Sequence, residues 1–169
     1  GTPVVDRIDL YAMTAGSAPV HQVTGDGVAF AGRDYPHRRP TFVLAPSPEP
    51  VTVLLRVATE STAIVPVRVW RETDFLASAV ADERRYGLYF GFLAAMLAFN
   101  LFLFLAVRDA SYLWYVAYMA SLVLLQAKLL GYADQYLWPA APHLANPANL
   151  LAFAALIGFG AQFTRSFLA

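Results

Sequence analysis

The densest run of groups able to do chemistry is Gly32 to Pro40, G-R-D-Y-P-H-R-R-P, with Asp26 a few residues upstream. Asp26, Arg33, Tyr35, His37 and Arg38 together make a candidate ligand surface. A guanidinium fork binds a carboxylate through two parallel hydrogen bonds, and a tyrosine ring can lie against a sugar face. The surface therefore suits a small anionic or sugar-like molecule. The same residues also support a plainer arrangement, in which Asp26 and Arg33 form an internal ion pair bracing a long loop and the rest are solvated. His21, Asp26 and His37 are too scattered to suggest a metal site, and we assign neither metal nor cofactor. No nucleophile elbow, Gly-rich phosphate loop or cysteine points to catalysis, so the expectation is that this chain is not an enzyme.

A second set of polar groups sits inside apolar runs. Asn100 and Gln126 each place an amide where lipid offers it no partner, so both are expected to pack against other helices. Lys128, close to the end of its run, is expected to snorkel to the headgroups.

These residues are carried by two unlike halves. All but five of the Asp, Glu, Lys and Arg residues precede Tyr86, and the later half holds only Arg108, Asp109, Lys128, Asp134 and Arg165. Such a step marks a soluble module joined to a membrane module. Gly87 to Val107 has no charge and, as a helix, reaches about 31 Å, the thickness of a bilayer core. We place domains at 1–81 and 82–169, with spans at about 87–107, 112–130 and 148–168. The tight polar turn Arg108-Asp109-Ala110-Ser111 separates the first two spans, and Tyr132, Tyr136 and Trp138 suit an interfacial aromatic belt. Lysine and arginine counts around the spans give no clear orientation. The zero net charge argues against nucleic acid as a partner.

In the first half, Val4 to Met13 alternates Ile8, Leu10 and Ala12 with Arg7, Asp9 and Tyr11, the period of a half-buried strand. Further short strands are expected at His21–Thr24, Val28–Ala31, Thr41–Ala45, Val51–Ala58 and Ala63–Trp70. Gly25-Asp26-Gly27 and Pro46 to Pro50 are turns. Strands at this spacing read as a partial antiparallel β-sandwich. Arg71 to Arg85 is a short polar connector, stiff enough to carry movement into the first span. Both ends look cut, and we read the chain as a fragment with strands missing before it and helices after it.

Gly87-Leu88-Tyr89-Phe90-Gly91, Asn100-Leu101-Phe102, Arg108-Asp109, Tyr112, Tyr115, Gly131 and Tyr136-Leu137-Trp138-Pro139 come in a familiar order. On these residues the second half resembles the bacterial seven-transmembrane receptors with diverse intracellular signalling modules. Gly25-Asp26, Phe30, Arg33, His37-Arg38, Phe42 and the strand bearing Arg56 are similar to the periplasmic sensor domain of that family, a jelly roll akin to carbohydrate-binding modules. The resemblance implies a periplasmic N-terminal domain, the first three of seven helices in the bacterial inner membrane, and a cytoplasmic cyclase, kinase or phosphatase module beyond this chain. The expected partners are the lipid bilayer, an unidentified small-molecule ligand with carbohydrates as one candidate class, and that C-terminal signalling module, a homodimer being one option for assembly. The rival reading is a membrane-anchored binding module, or part of a transporter or membrane enzyme, without signalling output.

Overall fold

Alternation in the first strand is kept only in part, because Asp9 is buried along with Ile8 and Leu10. In the computed structural model, which describes residues 5–14, 18–59 and 65–168, β1 spans Arg7–Thr14 and buries Ile8 and Leu10. β2 (Val20–Thr24) and β3 (Val51–Ala58) pair with it on either side, both antiparallel, in the order β2-β1-β3. Tyr11 lies opposite His21 on β2 and Leu54 on β3, and Asp9 lies opposite Val23 and Arg56. The buried apolar residues of this sheet are Ile8 and Leu10, with Val5 buried just ahead of β1, while β3 leaves Val53, Leu54 and Leu55 exposed.

Three expected strands are not formed in the described residues. Phe30–Gly32 closes a single 3₁₀ turn instead of continuing a strand over Val28–Ala31. Around Val43 the backbone is met by a side chain: Gln22 Nε2 donates to Val43 O at 2.7 Å and Val43 N donates to Gln22 Oε1 at 3.2 Å. A side-chain amide offers the same donor and acceptor as a peptide group, so Val43 has both backbone groups bonded without its segment joining a ladder. Of Ala63–Trp70, the first two residues lie outside the described ones, and 65–70 has no regular structure.

The membrane half is built of helices. α1 runs from Glu72 to Val107, 36 residues without interruption, so the polar connector is helical and continuous with the first span. Glu72 and Asp74 place negative charge in its first turn, where the helix dipole favours it. α1 ends at Arg108, in the left-handed conformation at φ 61°, and Asp109 caps α2 (Ala110–Leu129) by accepting from Ser111 N at 2.8 Å. That bond holds the Asp109 carboxyl below its ordinary value. A short helix α3 (Tyr132–Tyr136) and a 3₁₀ turn at Pro142–Leu144 lead into α4 (Ala145–Leu168). Among the described residues three helices are long and apolar enough to cross a membrane: 72–107, 110–129 and 147–168. The whole is a β domain followed by three membrane helices, as the sequence led us to expect.

The chain forms two compact units. One holds residues 1–65 together with 126–149, and the other holds 66–125 with 150–169. In the second unit α2 meets α4. Trp114 and Tyr115 lie 6.1 and 5.3 Å, by ring centroids, from Phe159 and Phe163, and the Ser111 and Ser166 hydroxyls are 3.1 Å apart. Asn100 turns its amide to its own helix, donating to Met96 O at 2.9 Å. Gln126 is half-buried near the end of α2.

Candidate functional site

The turn after β2 aims one carboxylate inward. Asp26 N donates to Val5 O at 3.0 Å and Gly27 N donates to Asp6 O at 2.9 Å. Gly25 takes φ 142°, and a side chain there would run into the Asp6 carbonyl, so the turn requires glycine. Asp26 is buried as a result.

The partner it meets comes from about a hundred residues downstream. α2 ends where Gly131, at φ 80°, donates its N–H to Lys128 O at 2.9 Å. α3 then folds back and brings Asp134 to the Lys128 ammonium, which donates to its two oxygens at 3.0 and 2.9 Å. Trp138 Nε1 donates to the same carboxylate at 2.9 Å. Lys128 also lies 3.5 Å from Asp26 Oδ2. The ammonium is buried, so Lys128 does not snorkel: two carboxylates replace the headgroups as its counter-charge. An ammonium taken out of water costs several kcal/mol unless it is paired, which is the physical reason for finding both acids there.

Arg33 and Arg38 enter the same cluster. Arg33 Nη1 donates to His37 O at 3.3 Å, and its guanidinium lies over the Phe30 ring at 5.1 Å. Arg38 Nη1 donates to Leu130 O at 3.4 Å and stacks over Tyr132 at 5.0 Å. Phe30 N donates to Pro139 O at 2.9 Å, a further link between the loop after β2 and the segment after α2. Burial pushes the Asp26 carboxyl above its ordinary value although Lys128 pulls the other way, and burial lowers Arg33. Asp26 Oδ1, Arg33 Nε and Thr24 Oγ1 are buried with no hydrogen-bond partner among the described residues.

Of the residues singled out from sequence, Asp26, Arg33 and Arg38 are thus brought together and buried, while Tyr35 and His37 are half-buried, with ring centroids 6.5 Å apart. Asp26 takes its ion pair from Lys128, in place of the Arg33 pairing weighed above. Asn100 lies apart from this group and its amide is satisfied within α1, whereas Gln126 stands just before Lys128 on α2, in the same compact unit as the loop. Lys128, Asp134 and Trp138 were missed as partners of the loop. The signal available was an acid six residues after the one lysine of the membrane half.

A second ionic group lies on the sheet. Asp9 accepts from Arg7 Nε at 3.0 Å and Nη2 at 2.9 Å, and His21 Nε2 lies 2.9 Å from its Oδ1. His21 stacks face to face on Tyr11, centroids 4.5 Å apart. These bonds, Arg7 first and then His21, hold the Asp9 carboxyl down at about 2. Among the described residues no group of three metal-ligating side chains occurs.

Comparison with protein families finds two matches that together take in most of the chain. Residues 83–169 match the family model described as 7TM diverse intracellular signalling, and residues 1–71 match the one described as 7TMR-DISM extracellular 2. No curated protein and no solved structure matches. The extracellular match gives the orientation that charge counting left open. With the N-terminal part outside, α1 carries the chain in and α2 brings it back, which returns residues 130–144 to the side of the β domain. The packing of 126–149 with residues 1–65 in one unit agrees with that path.

Proposed function

Because the chain belongs to the 7TM diverse intracellular signalling family, we propose that it is the sensing and membrane-entry part of a bacterial inner-membrane receptor. In this reading the N-terminal β domain is periplasmic and binds a small molecule, carbohydrate-derived or anionic, at the loop holding Asp26, Arg33, Tyr35, His37 and Arg38. Binding is relayed through the helices to a cytoplasmic output module beyond residue 169. One observation carries the reading. The half-buried Tyr35 and His37 flank Arg33, whose buried guanidinium donates to the His37 carbonyl and lies close enough to Asp26 and Asp134, the partners of Lys128 at the last turn of α2, to feel their charge. A ligand that engages the two rings alters the support of Arg33, and it shifts the helices only to the extent that it favours one arrangement over another.

Calorimetric titration of the whole chain in lipid nanodiscs, with a panel of sugars and small carboxylates, tests this. A saturable signal that disappears in Tyr35→Ala and His37→Ala is expected. Silence across the panel would count against sensing at this loop. Saturable binding with no change in helix packing would favour a membrane-anchored binding module.

A further inference from the structure

Among the described residues the β domain is joined to the helices both covalently and non-covalently, and the two connections differ in kind. The covalent one passes from β3 through residues 65–70, which have no regular structure and expose Val67, Val69 and Trp70, into an α1 whose N-cap, Arg71, makes no side-chain capping bond. The non-covalent one is buried and polar. It ends on α2, where Lys128 in the last turn lies 3.5 Å from Asp26, and Arg38 donates to Leu130 O while covering Tyr132.

The last four carbonyls of a helix lack intrahelical partners and carry the negative end of its dipole. Gly131 N satisfies Lys128 O, and the Leu130 carbonyl just beyond the helix is met by Arg38. We propose that the extracellular domain acts on the membrane helices by capping the outer end of α2 with Arg38 and Asp26, so that a change in the domain enters the bundle at α2 and not through the α1 junction. This rests on the receptor reading and supplies its route. The Lys128 pairing gives the cap two settings. Its contact with Asp134 is short and lies within its own segment, whereas its contact with Asp26 is longer and reaches into the β domain. The domain can therefore loosen its hold while Lys128 stays paired. From α2 the effect passes to α4 along Trp114–Phe159, Tyr115–Phe163 and Ser111–Ser166.

Amide hydrogen exchange on the whole chain in nanodiscs, with no ligand present, tests the proposal. Arg38→Met and Asp26→Asn should each speed exchange at residues 126–131 by about five- to tenfold, the scale of one lost hydrogen bond. Amides of β1 should keep their protection. Lys128→Arg, which keeps the cation, should keep the 126–131 protection. Two glycines inserted between Val69 and Trp70 should leave residues 126–131 as they were. Unchanged exchange at 126–131 in Arg38→Met and Asp26→Asn overturns the proposal, as does an equal effect from the glycine insertion. Should either substitution also strip protection from β1, Tyr132→Leu decides, because it removes the ring under Arg38 from the α2 side; faster exchange at 126–131 then supports the cap and unchanged exchange ends it. Since no ligand enters this experiment, its failure leaves sensing untouched, and a failed titration leaves the route untouched.

Discussion

Lys128 donates to both carboxylate oxygens of Asp134, six residues further along, and the two side chains are buried together. Removing one member of such a pair strands the other charge away from water. Lys128→Met is expected to destabilise the unit holding residues 1–65 and 126–149 by about 3–5 kcal/mol. The double change Lys128→Met with Asp134→Leu should recover part of that loss, and adding Asp26→Asn, whose carboxylate otherwise keeps no cation, should recover more. Thermal unfolding of the chain in nanodiscs, followed by the fluorescence of Trp138 in a Trp70→Phe, Trp114→Phe background, reads each. Equal losses in the single and double variants would show that the pair is not the source of the effect.

The Asp9 carboxyl is held at about 2, against an ordinary 3.8, by its bonds to Arg7 and His21. A depressed carboxyl contributes stability that is fully present above the ordinary value and is lost as pH falls toward the folded one. The sheet should therefore lose stability between about pH 4 and pH 2, and Asp9→Asn should flatten that part of the profile. Circular dichroism melts at half-unit pH steps would show it. A wild-type profile with the same slope as Asp9→Asn would remove Asp9 as the cause.

Gly25 sits at φ 142° with the Asp6 carbonyl where a side chain would go. Gly25→Ala should cost about 2 kcal/mol, from backbone strain and the collision together. The measurement is the shift in unfolding midpoint, and a change within about 0.5 kcal/mol, the range of an ordinary surface substitution, would mean the turn is less constrained than its geometry says.

Gly160 faces the Tyr118 ring, which would lie 3.3 Å from an added Cβ. Alanine there asks the ring to give by a few tenths of an ångström, while leucine has no room, so α2 and α4 should separate in Gly160→Leu and barely move in Gly160→Ala. The chain has no cysteine, so Ser111→Cys with Ser166→Cys supplies the only two thiols. Disulfide formation should be efficient in the glycine and alanine backgrounds and poor with leucine. Equal yields in all three would argue that Gly160 does not set the approach.

What the sequence made legible follows from how local the deciding forces are. β1 and β3 show in the alternation of Ile8 and Leu10 with Arg7 and Asp9, and in Val51 to Ala58. The three spans show because lipid imposes an unbroken apolar run. Thr41–Ala45 was misread because the competing partner is a glutamine side chain on β2, which no periodicity in 41–45 records. The burial of Asp26, Arg33 and Arg38 was hidden for the same reason. The groups that cover them, Lys128, Leu130, Tyr132 and Asp134, stand some ninety to a hundred residues away, and only the return of the second span brings them close.

α1 has a consequence of its own. An uninterrupted helix from Glu72 to Val107 is about 54 Å long, nearly twice the bilayer core, so roughly its first four turns lie ahead of the span. Over that stretch the helix works as a dial. One residue inserted between 72 and 86 turns the upstream chain by about 100° about the axis, and seven inserted residues bring it back to within about 20°. A length change in this segment is therefore an angle change ahead of the span, and with entry at α2, variants that differ there should respond alike whatever their rotational phase.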